Sequence, residues 1–411
     1  MGKIVYITAS TPLGTGETFI LTEMLALKKS GADLLIIPRD VSENVFHEAA
    51  RSLLAYSLIV PWLSCGITRS LLTYILKNPT PFLKLVYRIT LGTRSRRMAI
   101  KNLIIFPKAI HLSELLKKED ISHIHAHWGS TTSTLAYVIA RITGIPWSFT
   151  VHRWDIPENN MLKEKVRTAA FVRCIDEQGR GELKDFFREP VLEKKILTIH
   201  MGVPISETTK EPHRNERVFT FMCPANLVPK KGHRYLFEAC RILAEKGTRF
   251  KCFVAGDGPL EEDLKVMVSA LDLSGYVEFL GRITHERLFN FYSKKLVDAV
   301  VLLSIVAEDG QKEGIPVALI EAMSFRIPVI STNTGGIPEL IGDGSGIMVK
   351  ERDTYAIADA IEKLINDTAL YKELAEKGRL KVISEFNVVT VAGALSKLFS
   401  TYATSVSANV L

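Results

Sequence analysis

The stretch KIVYITASTPLGTGETFILTEMLALKKSGADLLIIP, residues 3–38, decides the fold class. Lys3–Ala9 reads as a strand apolar enough to be covered on both faces, and a loop containing Gly14 and Gly16 follows it. Thr18–Ser30 then reads as a helix, and DLLIIP after Gly31 as a second apolar strand. Strand, helix and strand in that order open a parallel α/β sheet. The loop GTGETF lacks the third glycine of a dinucleotide fingerprint, so as a nicotinamide signal it is weak.

The alternation continues outward from this unit. Strands are expected at HIHAHW, WSFTVH, FVRCID and ILTIHMG, with helices near Thr131–Thr143, Met161–Ala169 and Gln178–Phe187 between them. Residues 204–217, PISETTKEPHRNER, are polar and read as a linker. Beyond it the pattern restarts with VFTFMCP, FKCFVAG, YVEFLG, DAVVLLS, PVIST and GIMV, again separated by helical segments. This predicts two Rossmann-like domains, residues 1–203 and 218–387, facing one central cleft. Residues 388–411 supply a last helix, about Val388–Tyr402, and a tail. In such sheets ligands sit outside the carboxyl ends of the strands. The loops GTG, HAHW, TVHRWD, PANLVPKKG, AGDGP and EGIP all follow strands, so the chemistry is expected in them.

The 411 residues suit two domains, and a composition 47% hydrophobic and 24% charged is that of a folded protein. Five scattered cysteines match no zinc or CxxC spacing and read as reduced, mostly buried thiols of a cytoplasmic protein. The N-terminal strand is not preceded by the basic region of a signal peptide, and none is expected. The net charge of +7 is concentrated: residues 44–118 hold twelve Lys and Arg against two acids, among many Leu, Ile, Phe and Tyr. A basic and apolar segment suits an anionic membrane surface. Solvated basic helices are the alternative, and no nucleic-acid motif accompanies the charge. Ser52–Thr68 is uncharged for 17 residues but interrupted by Pro61 and Gly66, so peripheral contact is expected and not a span.

The stretch EGIPVALIEAMSFRIPVISTNTGGIPE, residues 313–339, carries the functional reading. Gly314 and Pro316 open a helix between Glu313 and Glu321, and a helix start offers N–H groups and the positive dipole end to an anion. The two carboxylates cannot bind that anion, but they can hold hydroxyls beside it. Phosphate next to hydroxyls suggests a nucleotide sugar.

Together PANLVPKKG, AGDGPLEEDL, VEFLGRI, EGIPVALIEAM, PVISTNTGGIPELI and GSGIMV resemble the donor domain of retaining GT-B glycosyltransferases of family 4. With HAHW and TVHRWDI the chain is most similar to the colanic-acid and exopolysaccharide branch. The resemblance implies a C-terminal helix crossing back to the first domain. It places the ribose hydroxyls on Glu321, and the sugar hydroxyls on Glu313 beside the N–H groups of Gly314 and Ile315, ahead of Pro316. Lys231 matches the lysine that neutralises the diphosphate leaving group. The arginine usual five residues earlier is Asn226 here, so either Lys230, Arg234 or Arg282 compensates or phosphate binding is weaker. Gly16 matches a close approach of backbone to phosphate, although a plain strand–helix turn also wants glycine. His152 matches a histidine that touches the sugar, with Arg153 where glycine is usual. His125 and His127 share a strand face and are expected to form an acceptor wall with Asp155, which also supports its loop.

No DxD pair occurs in a suitable loop, so no metal and no cofactor is expected. The resemblance implies retention by front-face attack, the leaving phosphate taking the acceptor proton. The function expected is transfer of a hexose from a UDP- or GDP-sugar to a lipid-linked or polysaccharide acceptor at the cytoplasmic membrane face. A nucleotide-sugar epimerase, a phosphorylase or a non-catalytic sugar-nucleotide binder are the alternatives.

Overall fold

Two parallel sheets organise the computed structural model, which describes residues 2–13, 17–41, 48–205, 218–308 and 310–403. The first contains β1 (Lys3–Thr8), β2 (Leu34–Pro38), β3 (Ile121–His127), β4 (Trp147–Val151), β5 (Phe171–Cys174) and β6 (Ile196–Thr198), in the order β2-β1-β3-β4-β5-β6. The second contains β7 (Phe219–Pro224), β8 (Phe250–Ala255), β9 (Val277–Gly281), β10 (Ala299–Leu302), β11 (Val329–Thr332) and β12 (Ile347–Val349), in the order β12-β11-β10-β7-β8-β9. The chain divides into two compact units, Met1–Gly202 with Val388–Leu411, and Val203–Asn387. Gly16, the first-loop glycines and residues 206–217 of the expected linker lie outside the described residues.

Period-two alternation builds the first unit. Val5 and Ile7 of β1 point to a core with Ile105, Ala109, Leu135 and Ile139, from the helices Arg96–Leu116 and Thr131–Thr143. Ile4 and Tyr6 point the other way, to Ile20, Met24, Leu395 and Phe399. The last two belong to the helix Val388–Ala403, which therefore returns to the first unit after the chain has built the second. Phe399 lies 5.2 and 5.3 Å, ring to ring, from His123 and His125 and 6.1 Å from Phe171, sealing the histidine-bearing face of the sheet.

Two first-unit strands stop sooner than their apolar runs suggest, for identifiable reasons. Trp128 follows β3 with a φ of 80°, a left-handed conformation that turns the chain out of the sheet. The strand ILTIHMG stops at Thr198 because the guanidinium of Arg173 takes the carbonyls of Ile199 and His200. Four of the five cysteines are buried and Cys65 is exposed, all as free thiols.

The basic segment forms the helices Cys65–Lys77, Pro79–Leu91 and Arg96–Leu116. Their inner residues Ile67, Leu85, Ile89 and Ile105 are buried, while Leu72, Leu76, Leu83, Tyr87, Leu91, Ile100 and Ile104 are exposed. Arg69, Lys77, Lys84, Arg88, Arg94, Arg96, Arg97 and Lys101 are exposed with them. Lys108 is not part of this surface: it is 1% exposed and donates to the carbonyl of Arg39 at 2.7 Å. No helix among the described residues is long and apolar enough to cross a membrane.

Truncating Phe399 empties a site that the fold fills from its last helix. Phe399→Ala is expected to cost about 3–5 kcal/mol. Thermal unfolding should show a lowered midpoint for the transition of the first unit, while a transition of the second keeps its place.

Candidate active site

The second sheet reverses its strand order between β7 and β10, and the loops leaving those two strands meet. The loop after β7 makes a short turn over Pro229–Lys231 and ends on Gly232. With φ at 68° and a virtual Cβ 1.9 Å from the carbonyl oxygen of Leu303, only glycine fits there. That close approach lets Ile305 N–H donate to the carbonyl of Lys230 at 2.9 Å. It also brings Lys231 Nζ to 2.5 Å from Glu313 Oε2. Burial alone would raise the pKa of Glu313; the charges of Lys231 and Lys230 hold it below the ordinary value.

The double-glycine turn fixes the backbone of the same loop. A Cβ on Gly335 would stand 1.9 Å from the Glu313 carbonyl oxygen, and one on Gly336 would press on Gly314 and Ile315. Glu313, Gly314 and Ile315 are thus clamped before the helix Val317–Ser324, whose first N–H groups receive no side-chain cap. Glu321 lies in that helix, 7% exposed, and its Oε1 is 2.7 Å from His285 Nε2. His285 begins the helix His285–Ser293 after β9, and its ring packs 4.1 Å from that of Phe289. Burial would lower the histidine's pKa, but the hydrogen bond and charge of Glu321 raise it above 6.5.

In the first sheet the strand order reverses between β1 and β3. Glu17 gathers the two strand ends: its carboxylate accepts from the N–H groups of Ser10 and Thr11 at 2.8 and 2.9 Å and from Trp128 Nε1 at 2.6 Å. The strained Trp128 lays its ring 4.1 Å from that of His152, at the end of β4. His152 Nε2 is 2.7 Å from His127 Nε2, and burial lowers the pKa of His152 to about 3, so the ring is neutral. Asp155 Oδ2 accepts the His152 backbone N–H at 2.8 Å. Burial pushes the Asp155 pKa up to about 7 despite the N–H groups of Gly129 and His152. Arg153 turns inward to Glu182 at 2.7 Å and Asp176 at 3.5 Å.

The chain is similar to known proteins in sequence and in fold. Residues 205–381 match the family Glycosyl transferases group 1. That match covers 177 of the 411 residues and lies within the second unit, which is similar to this family. It is 34% identical over 266 residues to the putative colanic acid biosynthesis glycosyltransferase WcaL of Salmonella typhimurium, covering 61% of this chain and 63% of that protein. It is 38% identical over 196 residues to the amylovoran biosynthesis glycosyltransferase AmsK of Erwinia amylovora, covering 47% and 48%. The chain thus spans less than two thirds of the length of these curated relatives. The crystal structure of Anabaena Alr3699/HepE in complex with UDP superposes with a TM-score of 0.71 at 15% identity, over 97% of this chain and all of that one. The fold is GT-B: two Rossmann-like domains and a C-terminal helix that returns to the first.

Several residues expected from the family pattern come together, and others do not. Lys231, Glu313, Gly314, Ile315 and Pro316 adjoin within the second unit, with Glu321 one turn further into the helix. Of the cations expected to stand in for the arginine replaced by Asn226, Lys230 is the one whose charge reaches Glu313. Arg234 faces outward to Glu238 at 2.9 Å, and Arg282 lies 3.6 Å from Asp257. Asn226 itself is exposed. His125 and His127 do not form an acceptor wall: both are fully buried, and His125 gives its two ring nitrogens to Ser148 and Thr150. They lie on the sheet face that Tyr6 and Phe399 cover. His285, Trp128 and Glu17 were not anticipated, although a tryptophan closing HAHW and a histidine opening a helix beside the glycines were visible signals.

The His285–Glu321 pair has a pH signature. Because the folded-state pKa of His285 is raised, its contribution to stability is complete below pH 6.5 and is lost as pH rises through the folded value. Thermal unfolding across that window should show this slope, and His285→Gln should flatten it.

Proposed function

We propose that this protein is a retaining, metal-independent glycosyltransferase. It would move a hexose from a nucleoside-diphosphate sugar to a lipid-linked or polysaccharide acceptor in cell-surface glycan synthesis. The observation that carries the reading is the Lys231–Glu313 ion pair beside an uncapped helix start at a strand-order reversal. An ammonium has three donors, so Lys231 can hold Glu313 and still present N–H to a diphosphate. Departure of the nucleoside diphosphate builds negative charge where that cation and the helix dipole already stand. Glu313 would take sugar hydroxyls and Glu321 the ribose diol, with His285 keeping the second carboxylate in place. UDP is the favoured nucleotide, by analogy with the HepE complexes with UDP and UDP-glucose. The exopolysaccharide assignment follows the colanic acid and amylovoran relatives.

The acceptor is expected at a membrane. Leu83, Tyr87 and Leu91 recur every fourth residue along one helix, exposed beside Lys84 and Arg88. Apolar side chains among cations suit the interface of an anionic bilayer. The protein would then work peripherally, on the cytoplasmic face where anionic lipid is concentrated.

Two measurements check this. Lys231→Ala and Glu313→Ala should each lower transfer of radiolabelled hexose from UDP- or GDP-sugar to lipid extract by about 10²–10³-fold. Unchanged transfer would remove both residues from the mechanism, and conversion of donor without any acceptor would favour an epimerase. In flotation with anionic vesicles at low salt, the protein should rise with the lipid. Replacing Arg94, Arg96 and Arg97 by Gln together should weaken that retention, and sedimentation of the unaltered protein away from the lipid would end the membrane reading.

A further inference from the structure

A line of hydrogen bonds runs from a buried ion pair to His152, and its direction is determined. Arg173 Nη1 donates to Glu23 Oε2 at 2.7 Å, while its other nitrogens donate to the carbonyls of Ile199 and His200. Tyr6 donates its hydroxyl to Glu23 Oε1 at 2.5 Å. Burial and the charge of Glu23 raise the phenol's pKa well above the ordinary value, so Tyr6 keeps that proton. Its oxygen is then an acceptor for His127 Nδ1 at 3.1 Å. A neutral imidazole carries one N–H, so His127 must leave Nε2 as a lone pair. His152 lies 2.7 Å away through its own Nε2, which must supply the proton. His152 Nδ1 is left as an acceptor without a hydrogen-bond partner among the described residues. Tyr6, Glu23, His127 and Arg173 are all fully buried, so water does not scramble the order.

We propose that Arg173, Glu23, Tyr6 and His127 are positioning residues that fix His152 in the Nε2–H form, so that its Nδ1 accepts a hydroxyl of a neutral sugar and repels a carboxylate. This rests on the proposed transferase function and on the resemblance, which implies that His152 touches the sugar. A lone pair aimed at a sugar takes O–H···N from a hydroxyl, whereas a uronate would set two unprotonated atoms against each other. The site therefore selects hydroxylated hexoses over uronic acids. The selection comes from a proton order set three side chains away, not from a charge at the site.

Glu23→Gln tests the order because it reverses it. Arg173 can only donate, so it holds the amide oxygen of Gln and turns the NH₂ toward Tyr6. Tyr6 must then donate to His127 Nδ1, His127 Nε2–H to His152 Nε2, and the proton of His152 moves to Nδ1. Long-range ¹H–¹⁵N correlation on ¹⁵N-histidine-labelled protein, with His152 assigned by His152→Gln, reads this directly. The unaltered protein should show His152 protonated at Nε2; protonation at Nδ1 would overturn the relay whatever the variants do. Glu23→Gln should move the proton to Nδ1, and Tyr6→Phe, which breaks the line without touching the ion pair, should give a mixture. A Glu23→Gln protein that folds yet keeps Nε2–H would also overturn it. By calorimetry, UDP-glucose should bind at least about tenfold more tightly than UDP-glucuronate, the discrimination expected of one hydrogen bond, and Glu23→Gln should narrow that ratio. Equal affinities with UDP itself bound would overturn the selectivity. Failure to bind UDP at all would count against the donor reading, and the tautomer measurement would still decide the relay.

Discussion

Parallel pairing is the constraint on which the rest depends. Each parallel strand must return through a crossover, so all strand ends of one kind lie along one edge of the sheet. Covering helices leave both faces dry, and the loops at the carboxyl edge are where polar groups can gather. Both sheets reverse their order, between β1 and β3 and between β7 and β10. At each reversal two loops diverge to opposite faces and leave a crevice. Glu17 with Trp128 occupies one, and Lys231 with Glu313 the other.

The two units use buried charge differently. In the second, the ion pair of Lys231 and Glu313 is partly exposed, and glycines set its geometry. Gly232 and Gly335 each let one backbone approach a carbonyl that a Cβ would strike, so the loop cannot drift from the lysine. In the first, Arg173 and Glu23 are wholly buried and satisfied by each other, by Tyr6 and by two carbonyls. A buried pair of this kind is weak support for stability, because desolvation offsets much of the attraction. It does impose direction: removing water and fixing a donor-only guanidinium leaves one proton order.

Much of this was legible in the sequence, for a physical reason. Apolar strands buried on both faces write themselves as short uninterrupted runs, and the helices between them stand out by contrast, so the helix Thr131–Thr143 emerges with its observed ends. The residues of the second site were legible because they lie in one stretch, with their glycines beside them. The first site was not, because its partners come from four separate segments and meet only when the sheet closes. His125 and His127 alternate on a strand, which places them on one face, but alternation does not say whether that face meets solvent or a helix. The helix that covers it, Val388–Ala403, lies more than 250 residues downstream. The remaining signal was composition against context: a lone arginine inside FVRC and a lone glutamate within TFILTEMLALKK. A charge inside an apolar run that the fold must bury has to meet a partner, and here the two are each other's.

That pairing also relates stability to selectivity in the first unit. The carbonyls of Ile199 and His200 that end β6 early are the ones that hold Arg173, so the strand gives up pairing to orient a guanidinium. Phe399 closes the same face over His123 and His125, and it comes from a helix that follows the second unit in the chain. The dry environment that orders the protons of Tyr6 and His127 is therefore completed by the last helix of the chain. A first unit lacking that helix would expose the face to water, which can donate and accept in either sense. His152 would then lose its single tautomer even with every strand in place.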